Sequence, residues 1–411
     1  MDIRPILMTL RRHKFTACLL ILEIALTCAI ICNAIFLINQ RLESMRIVSG
    51  VAEQELVYVK TAYIGNRPDA PARAAADIAA LDAISGVKAA ALIDQIPFDE
   101  GSDNAGLRLT LNQREDTLSA AMYHGENLLH VLGAQLVEGR DFRPEEYVPM
   151  YKVAEAMEKG DFGNQPNPTI VSRAVADRLW PGQEALGKQF YIGQDVPLTV
   201  VGVVGTLVRP SEMQMAKGAQ YSVVLPIQES SAEGSVYVLR TAPQDRDDVL
   251  KAAVAKLMAL DPNRIVLEKG TMEQHRRDFF QNDRAMAGIL VGVCIAMLII
   301  TALGIVGLAS FWVSQRNHSI GVRRALGATR SNILNYFQTE NFLLTTMGIV
   351  FGMVLAYGIN LFLIVHYELP RLPLMYLPVG AALLWLIGQC AVLGPAMRAA
   401  AVPPVVATRS V

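Results

Sequence analysis

The stretch AMAGILVGVCIAMLIITALGIVGLASFWV, Ala285–Val313, runs for 29 residues without a charged side chain. A bilayer core is about 30 Å thick and takes about 20 helical residues to cross. In lipid each backbone polar group must be satisfied within its own segment, so such a run is helical. Three further runs obey the same rule. Phe15–Ile38 is apolar over 24 residues apart from Glu23 and small polar groups. Asn341–Val365 adds 25 uncharged residues and Leu374–Gly394 adds 21, with Pro370, Pro373 and Pro378 blurring the start of the last. The 411-residue chain is 52% hydrophobic and 18% charged, where a soluble protein is about 25% charged. Intrinsic disorder, a wholly soluble enzyme and a strongly basic nucleic-acid binder are excluded. The first run follows Arg11, Arg12, His13 and Lys14, as a signal peptide would. It exceeds the roughly 7–15 residues of a secretory apolar core, and predicts an uncleaved anchor.

Charge orients the spans. Residues 1–14 carry Arg4, Arg11, Arg12 and Lys14 against Asp2; residues 314–340 carry Arg316, Arg323, Arg324 and Arg330 against Glu340. Residues 395–411 add Arg398 and Arg409, and the link after the third span is neutral. The positive-inside rule places these basic segments and both termini in the cytoplasm of an inner (plasma) membrane protein. Residues 39–284 are then outside, with 26 basic and 34 acidic side chains, a net −8. That segment is long enough for its own core. Cys18, Cys28, Cys32, Cys294 and Cys390 all fall in the spans and read as small packing residues.

The outer segment alternates strands and helices. Asn39–Gly50 continues the first helix as a stalk, and Thr271–Arg284 is its counterpart before the second span. Strands are expected at Leu56–Ile64, Val87–Pro97, Leu107–Leu111, Ala120–Tyr123, Leu198–Val204, Val236–Arg240 and Arg264–Glu268. Helices are expected at Ala70–Ile84, Glu126–Leu132 and Asp247–Leu260, with Pro168–Trp180 passing from strand to helix. The class is α+β with two subdomains. Residues 145–165 lack periodicity and suggest an insertion or loop.

Catalytic signatures are missing. Gly182-Gln-Glu-Ala-Leu-Gly187-Lys188 spells a P-loop, but Gln189 stands where Ser or Thr must reach Mg²⁺. It reads as a turn before a strand at Gln189–Ile192. None of the six histidines has a partner at zinc-ligand spacing, and His124 and His130, six apart, read as surface or packing residues. Glu23 lies about 12 Å into the first span. An ionised carboxylate there is expensive, so a neutral or cross-paired structural group is expected ahead of a proton-linked one. Gly288 with Gly292 and Gly348 with Gly352 form two G-x-x-x-G faces suited to helix packing, and weakly to dimerisation.

The most informative segment is Ser314–Leu334. Ile320, Leu326 and Ile333 supply apolar anchors, Arg316, Arg323, Arg324 and Arg330 a cationic face, and Gly321 and Gly327 turns. This is a basic amphipathic element under the membrane, suited to anionic headgroups or to a partner's groove.

Ile320-Gly-Val-Arg-Arg-Ala-Leu-Gly-Ala-Thr-Arg330 resembles the signature loop of MacB/FtsX-type ABC transporter permeases. Gly139-Arg140-Asp141-Phe142, Ile170-Val171-Ser172, Leu186-Gly187-Lys188, Val200-Val201-Gly202-Val203-Val204 and Pro395–Pro404 resemble the family's other elements. His318-Ser319 departs from it, standing where many members carry an acid. The resemblance implies a permease of the mechanotransmission class with no fused ATPase and no cofactor of its own. A separate ABC ATPase would bind ATP and Mg²⁺. Residues 315–330 would be its coupling element, shaped by Gly321 and Gly327, anchored by Ile320 and Leu326, and held by Arg323, Arg324 and Arg330. It further implies a dimer with a second copy or a paralogue, and a periplasmic adaptor and outer-membrane channel as further partners. The outer region would hold a porter-like subdomain (about 50–120 and 235–270) and a sabre-like one (about 121–234). Export of a peptide, antibiotic or amphiphile is the first expectation. A lipoprotein-releasing permease and an FtsX-like regulator of a cell-wall hydrolase are the alternatives.

Overall fold

The computed structural model describes residues 14–63, 69–99, 101–159, 167–193, 196–210, 218–230, 235–367 and 371–402. Arg4, Arg11, Arg12, Arg409 and Pro403–Pro404, used above, lie outside the described residues. The chain forms two compact units, residues 46–281 and the segments on either side of them.

Helix α1 (Lys14–Met45) leads to the inserted unit. Strand β1 (Leu56–Tyr63), helix α2 (Ala70–Asp82) and strand β2 (Val87–Ile93) form one β-α-β run. Then come β3 (Asn104–Arg108), β4 (Leu118–His124), α3 (Leu128–Leu132), β5 (Leu136–Gly139), β6 (Val148–Pro149) and α4 (Met150–Lys159). Strand β7 (Pro168–Ser172) passes into α5 (Arg173–Leu179), whose first turn is capped by Ser172 Oγ accepting from the Val175 amide. Strands β8 (Gln189–Ile192), β9 (Val196–Val204), β10 (Ser222–Leu225) and β11 (Ile227–Gln228) follow. The chain returns with β12 (Ser235–Thr241), α6 (Arg246–Leu260) and β13 (Arg264–Thr271), and leaves through α7 (Met272–Phe279).

The first sheet has the order β13-β1-β12-β2, all antiparallel. Alternate residues of its strands, Val57 with Val59 and Tyr237 with Leu239, meet Ala74 and Leu81 of α2 and Val249, Ala253 and Leu257 of α6 in one core. Both helices thus cover the same face, a split β-α-β sandwich. A buried ion pair crosses it: Arg264 binds Asp77, which also accepts from the Tyr237 hydroxyl at 2.6 Å. The second sheet has the order β5-β9-β7-β10-β4-β3-β8, and β8 pairs with both β3 and β9. That extra pairing closes the sheet on itself around Leu107, Phe190, Leu198, Val200 and Val223.

Three expectations change. Strands β3 and β4 pair in the second sheet, so the first subdomain ends within 94–103, not near 120. Strand partners decide this boundary, and they are remote in sequence. Residues 145–165 contain β6 and the helix α4, which buries Val153 and Ala156; residues 160–166 lie outside the described set. The segment 271–284 is not one helix, because α7 ends at Phe279, Phe280 caps it and a new helix starts at Gln281.

In the helical unit, α8 (Gln281–Gln315), α9 (Asn317–Ala325), α10 (Arg330–Tyr367) and α11 (Tyr376–Ala401) join α1. Four of these five helices are long and apolar enough to span a membrane. Half of the α1 apolar window is buried but only 11% of the α8 window, so α1 is the central helix and α8 the open one. Glycines let the partners approach α1. A Cβ on Gly348 or Gly352 of α10 would lie 2.7 Å from Ile24 or 2.4 Å from Cys28, and one on Gly380 of α11 2.5 Å from Cys32. Buried polar bonds tie the helices together: Thr27 to Thr301 at 2.9 Å, and Asn341 Nδ2 to the Gly388 carbonyl at 2.9 Å.

Candidate functional site

The segment between α8 and α10 is a helix docked on the end of the bundle, not a free loop. Its core is Val313 of α8, Ile320 of α9, Ile333 and Phe337 of α10, and Ala396, Ala399 and Ala400 of α11. Arg316, between α8 and α9, places Nη1 2.9 Å from Glu340 Oε2, with Glu340 1% exposed. Its guanidinium also lies 5.6 Å from the Trp312 ring. Arg324 donates to the Ala400 carbonyl in the last turn of α11, where the helix dipole favours a cation.

Helix α9 stops at a left-handed glycine. Gly327 has φ +97°, and the Gly327 and Ala328 amides bond to the Arg324 and Arg323 carbonyls. This is a Schellman cap, and a side chain at that φ would be strained. Thr329 then caps α10, its Oγ1 accepting from the Asn332 amide at 3.2 Å. The cap turns Leu326 outward.

The expected coupling residues therefore divide into two sets. Arg316, Ile320, Gly321 and Arg324 face inward. Gly321 is buried within α9 and makes no turn, contrary to expectation. Leu326 is 83% exposed, so it is no anchor among the described residues. Val322, Arg323, Leu326 and Arg330 form the exposed side. Arg323 is steadied by the Tyr336 ring, 5.1 Å away. The outcome is an apolar knob flanked by two guanidinium groups on a braced helix.

The two G-x-x-x-G faces differ. Gly348 and Gly352 are spent on α1 within the chain, so they offer no dimer face. Gly288 and Gly292 stay open: apart from their own helix, no described residue lies within 4 Å of where a Cβ on either would stand. Glu23 is half-buried, its carboxylate 2.6–2.7 Å from where a Gly304 Cβ would lie. Among the described residues no hydrogen bond or ion pair reaches it, so of the two structural states expected, neutral or cross-paired, the pairing does not form.

In the inserted unit the separated sequence elements converge on β9. Gly139 pairs with Gly202, the Arg140 amide bonds to the Val201 carbonyl, and the Gly187 amide bonds to the Val200 carbonyl. A Cβ on Gly139 would lie 2.3 Å from the Val201 oxygen, and one on Gly202 3.2 Å from Ile170. Arg140 holds Glu146 through both nitrogens at 2.5 and 2.7 Å. These elements are architectural. Gly182 and Gly187 make left-handed turns before β8, as the turn interpretation expected.

His124 belongs to no cluster that could hold a metal ion among the described residues. Its Nδ1 lies 2.6 Å from Glu229 and its Nε2 3.5 Å from Asp94, where the two sheets meet. Burial opposes its charge, but Asp94, Asp103 and Glu229 outweigh that and push its pKa up to about 10. Burial lifts Asp94 to about 7 against the pull of His124. Sequence spacing missed this cluster because its members come from three remote segments.

Two family models match the chain consecutively: a MacB-like periplasmic core domain over residues 27–257 and an FtsX-like permease C-terminal domain over 291–404. The macrolide export ATP-binding/permease protein MacB of Burkholderia pseudomallei is 23% identical over 68% of this chain and 41% of its own length. The uncharacterized ABC transporter permease YvrN of Bacillus subtilis is 24% identical over 64% of this chain and 68% of its own. The chain thus spans about two-fifths of that MacB relative. The periplasmic region of MacB from Actinobacillus actinomycetemcomitans aligns with 57% of this chain and 97% of its own at TM-score 0.33 and 13% identity. The extracellular domain of the transporter YknZ aligns with 51% of this chain and 100% of its own at TM-score 0.31 and 16% identity. With four helices long and apolar enough to span, an α+β domain inserted after the first and more than half its length matched by the periplasmic-core family model, this chain belongs to the MacB/FtsX-like family of ABC transporter permeases.

Proposed function

We propose that the chain is the transmembrane subunit of an ATP-driven exporter, and that α9 docks into a groove of a separate ABC ATPase that binds ATP and Mg²⁺. The observation that supports this is the outward knob of Leu326 between Arg323 and Arg330, carried on a helix whose other face is locked into the bundle. A rigid element of this kind passes a push on its outer face to α8, α10 and α11 together. Arg323 and Arg330 supply charge-assisted bonds to the partner. In this proposal α9 and the termini are cytoplasmic, the inserted domain is periplasmic, and a second permease covers the open face of α8. The cargo is a peptide, antibiotic or other amphiphile taken up on the periplasmic side, with an adaptor and an outer-membrane channel beyond it.

The test is purification of the chain in mild detergent from its native membrane, with mass spectrometry of the proteins recovered. An ABC ATPase that co-purifies, and is lost from an Arg323→Glu/Arg330→Glu variant, supports the proposal. Absence of an ATPase across several detergents overturns it and reassigns the basic face to lipid headgroups.

A further inference from the structure

Between α2 and β2 on one side and the β6–β11 edge on the other lies a cleft of about 310 Å³. Alanines make up much of its near wall. Ala74, Ala75 and Ala79 of α2 and Ala90 and Ala91 of β2 line it, and alanines do not fill the space between two subdomains. Protein interiors normally leave few voids larger than a water molecule, and this volume is that of a small ligand pocket.

The far wall is polar and of one sign. Glu126 and Glu229 line it, Asp82 closes the α2 end, and no lysine or arginine is among the described lining residues. Glu126 is oriented by Gln228, whose Nε2 donates to Oε2 at 3.0 Å, and Asp82 Oδ1 accepts from the Ala90 amide at 2.7 Å. Among the described residues, no donor reaches the other oxygen of either carboxylate. Glu229 is held by His124 behind it. Carboxylates opposite an alanine floor suit a ligand with both an apolar body and a positive charge, not a metal ion.

We infer that this cleft binds a small organic cation, an ammonium group on a compact apolar body, with Glu126 as its principal counter-charge. The lining comes from α2 and β2 of the first subdomain and from the β6–β11 pair and the segment after β4 of the second, so an occupant bridges the two subdomains. The inference deepens the export proposal only in treating such a cation as cargo. Binding is measured on the chain without nucleotide or ATPase, so its failure is distinct from a failure of the coupling proposal.

The experiment uses the full chain in lipid nanodiscs, with empty nanodiscs as the blank, and calorimetric titration with two probes of one shape. These are 1-adamantylammonium, which is charged, and 1-adamantanol, which is neutral. The cation is expected to bind more tightly than the alcohol, and Glu126→Gln to weaken the cation about tenfold while leaving the alcohol unchanged. Ala79→Phe, on the exposed side of α2, fills the cleft and is expected to abolish binding of both, with circular dichroism and thermal midpoint reporting its fold. Equal affinity for the two probes, no binding of the cation, or binding that survives Ala79→Phe in a folded variant would each overturn the inference.

Discussion

Leu326 and Ile320 sit six residues apart on one short element, and they are expected to fail in opposite ways. Leu326 is 83% exposed, so Leu326→Ala removes almost no contact within the chain, and stability should change by less than about 0.5 kcal/mol. Burying a leucine side chain in a partner is worth roughly 1.5–3 kcal/mol. With most of that area still open here, Leu326→Ala should forfeit about 1.5–2.5 kcal/mol on docking, a roughly ten- to seventy-fold weaker complex. Ile320 is 5% exposed within the core shared by four helices. Ile320→Ala should cost about 2–4 kcal/mol of stability. The assay pairs thermal unfolding of the detergent-solubilised chain with surface-plasmon affinity for the co-purifying ATPase. A Leu326→Ala variant that melts well below the parent, or that binds the ATPase as tightly, would refute the outward-knob assignment.

Three further outcomes are expected. Asp77→Ala strands the guanidinium of Arg264, which is buried beside Tyr237, and should cost about 3–5 kcal/mol in chemical denaturation; a loss below about 1 kcal/mol speaks against the pair. His124 is raised on folding from 6.5 to about 10, so its stabilisation is complete below pH 6.5 and is lost as pH rises toward 10. The thermal midpoint of the chain should fall between pH 7.5 and 10, beyond the Asp94 transition near 7, and flatten there in His124→Gln; equal slopes would count against the cluster. Gly352→Leu drives a Cβ against Cys28 and should cost about 1–3 kcal/mol. Gly292→Leu, whose Cβ has open space around it, should leave the melting curve of the monomer nearly unchanged, and equal losses would contradict the assigned packing.

Much of the inserted domain was legible in sequence, because a strand such as Val196–Val204 or a helix such as Arg246–Leu260 advertises itself by local pattern. Strands β5 and β10 were not. Leu136–Gly139 is too short to show alternation, and Ser222–Leu225 is four residues buried between β7 and β4. The basic element was legible in composition but not in orientation. Arg316 and Arg324 look equivalent to Arg323 and Arg330 along the chain, yet the first two find Glu340 and the end of α11, while Arg323 and Arg330 stay exposed.

The sequence by itself determined the four spans and the family, because apolar run length against bilayer thickness is a local property and the loop signature is contiguous. Only the tertiary structure decided which face of α9 is offered outward, where the first sheet ends, that Gly352 is spent within the chain while Gly292 is not, and that an alanine-floored cleft lies opposite Glu126. Each of those depends on a partner tens or hundreds of residues away. Helical periodicity shows that a helix has two faces, but the packed neighbours decide which one is buried.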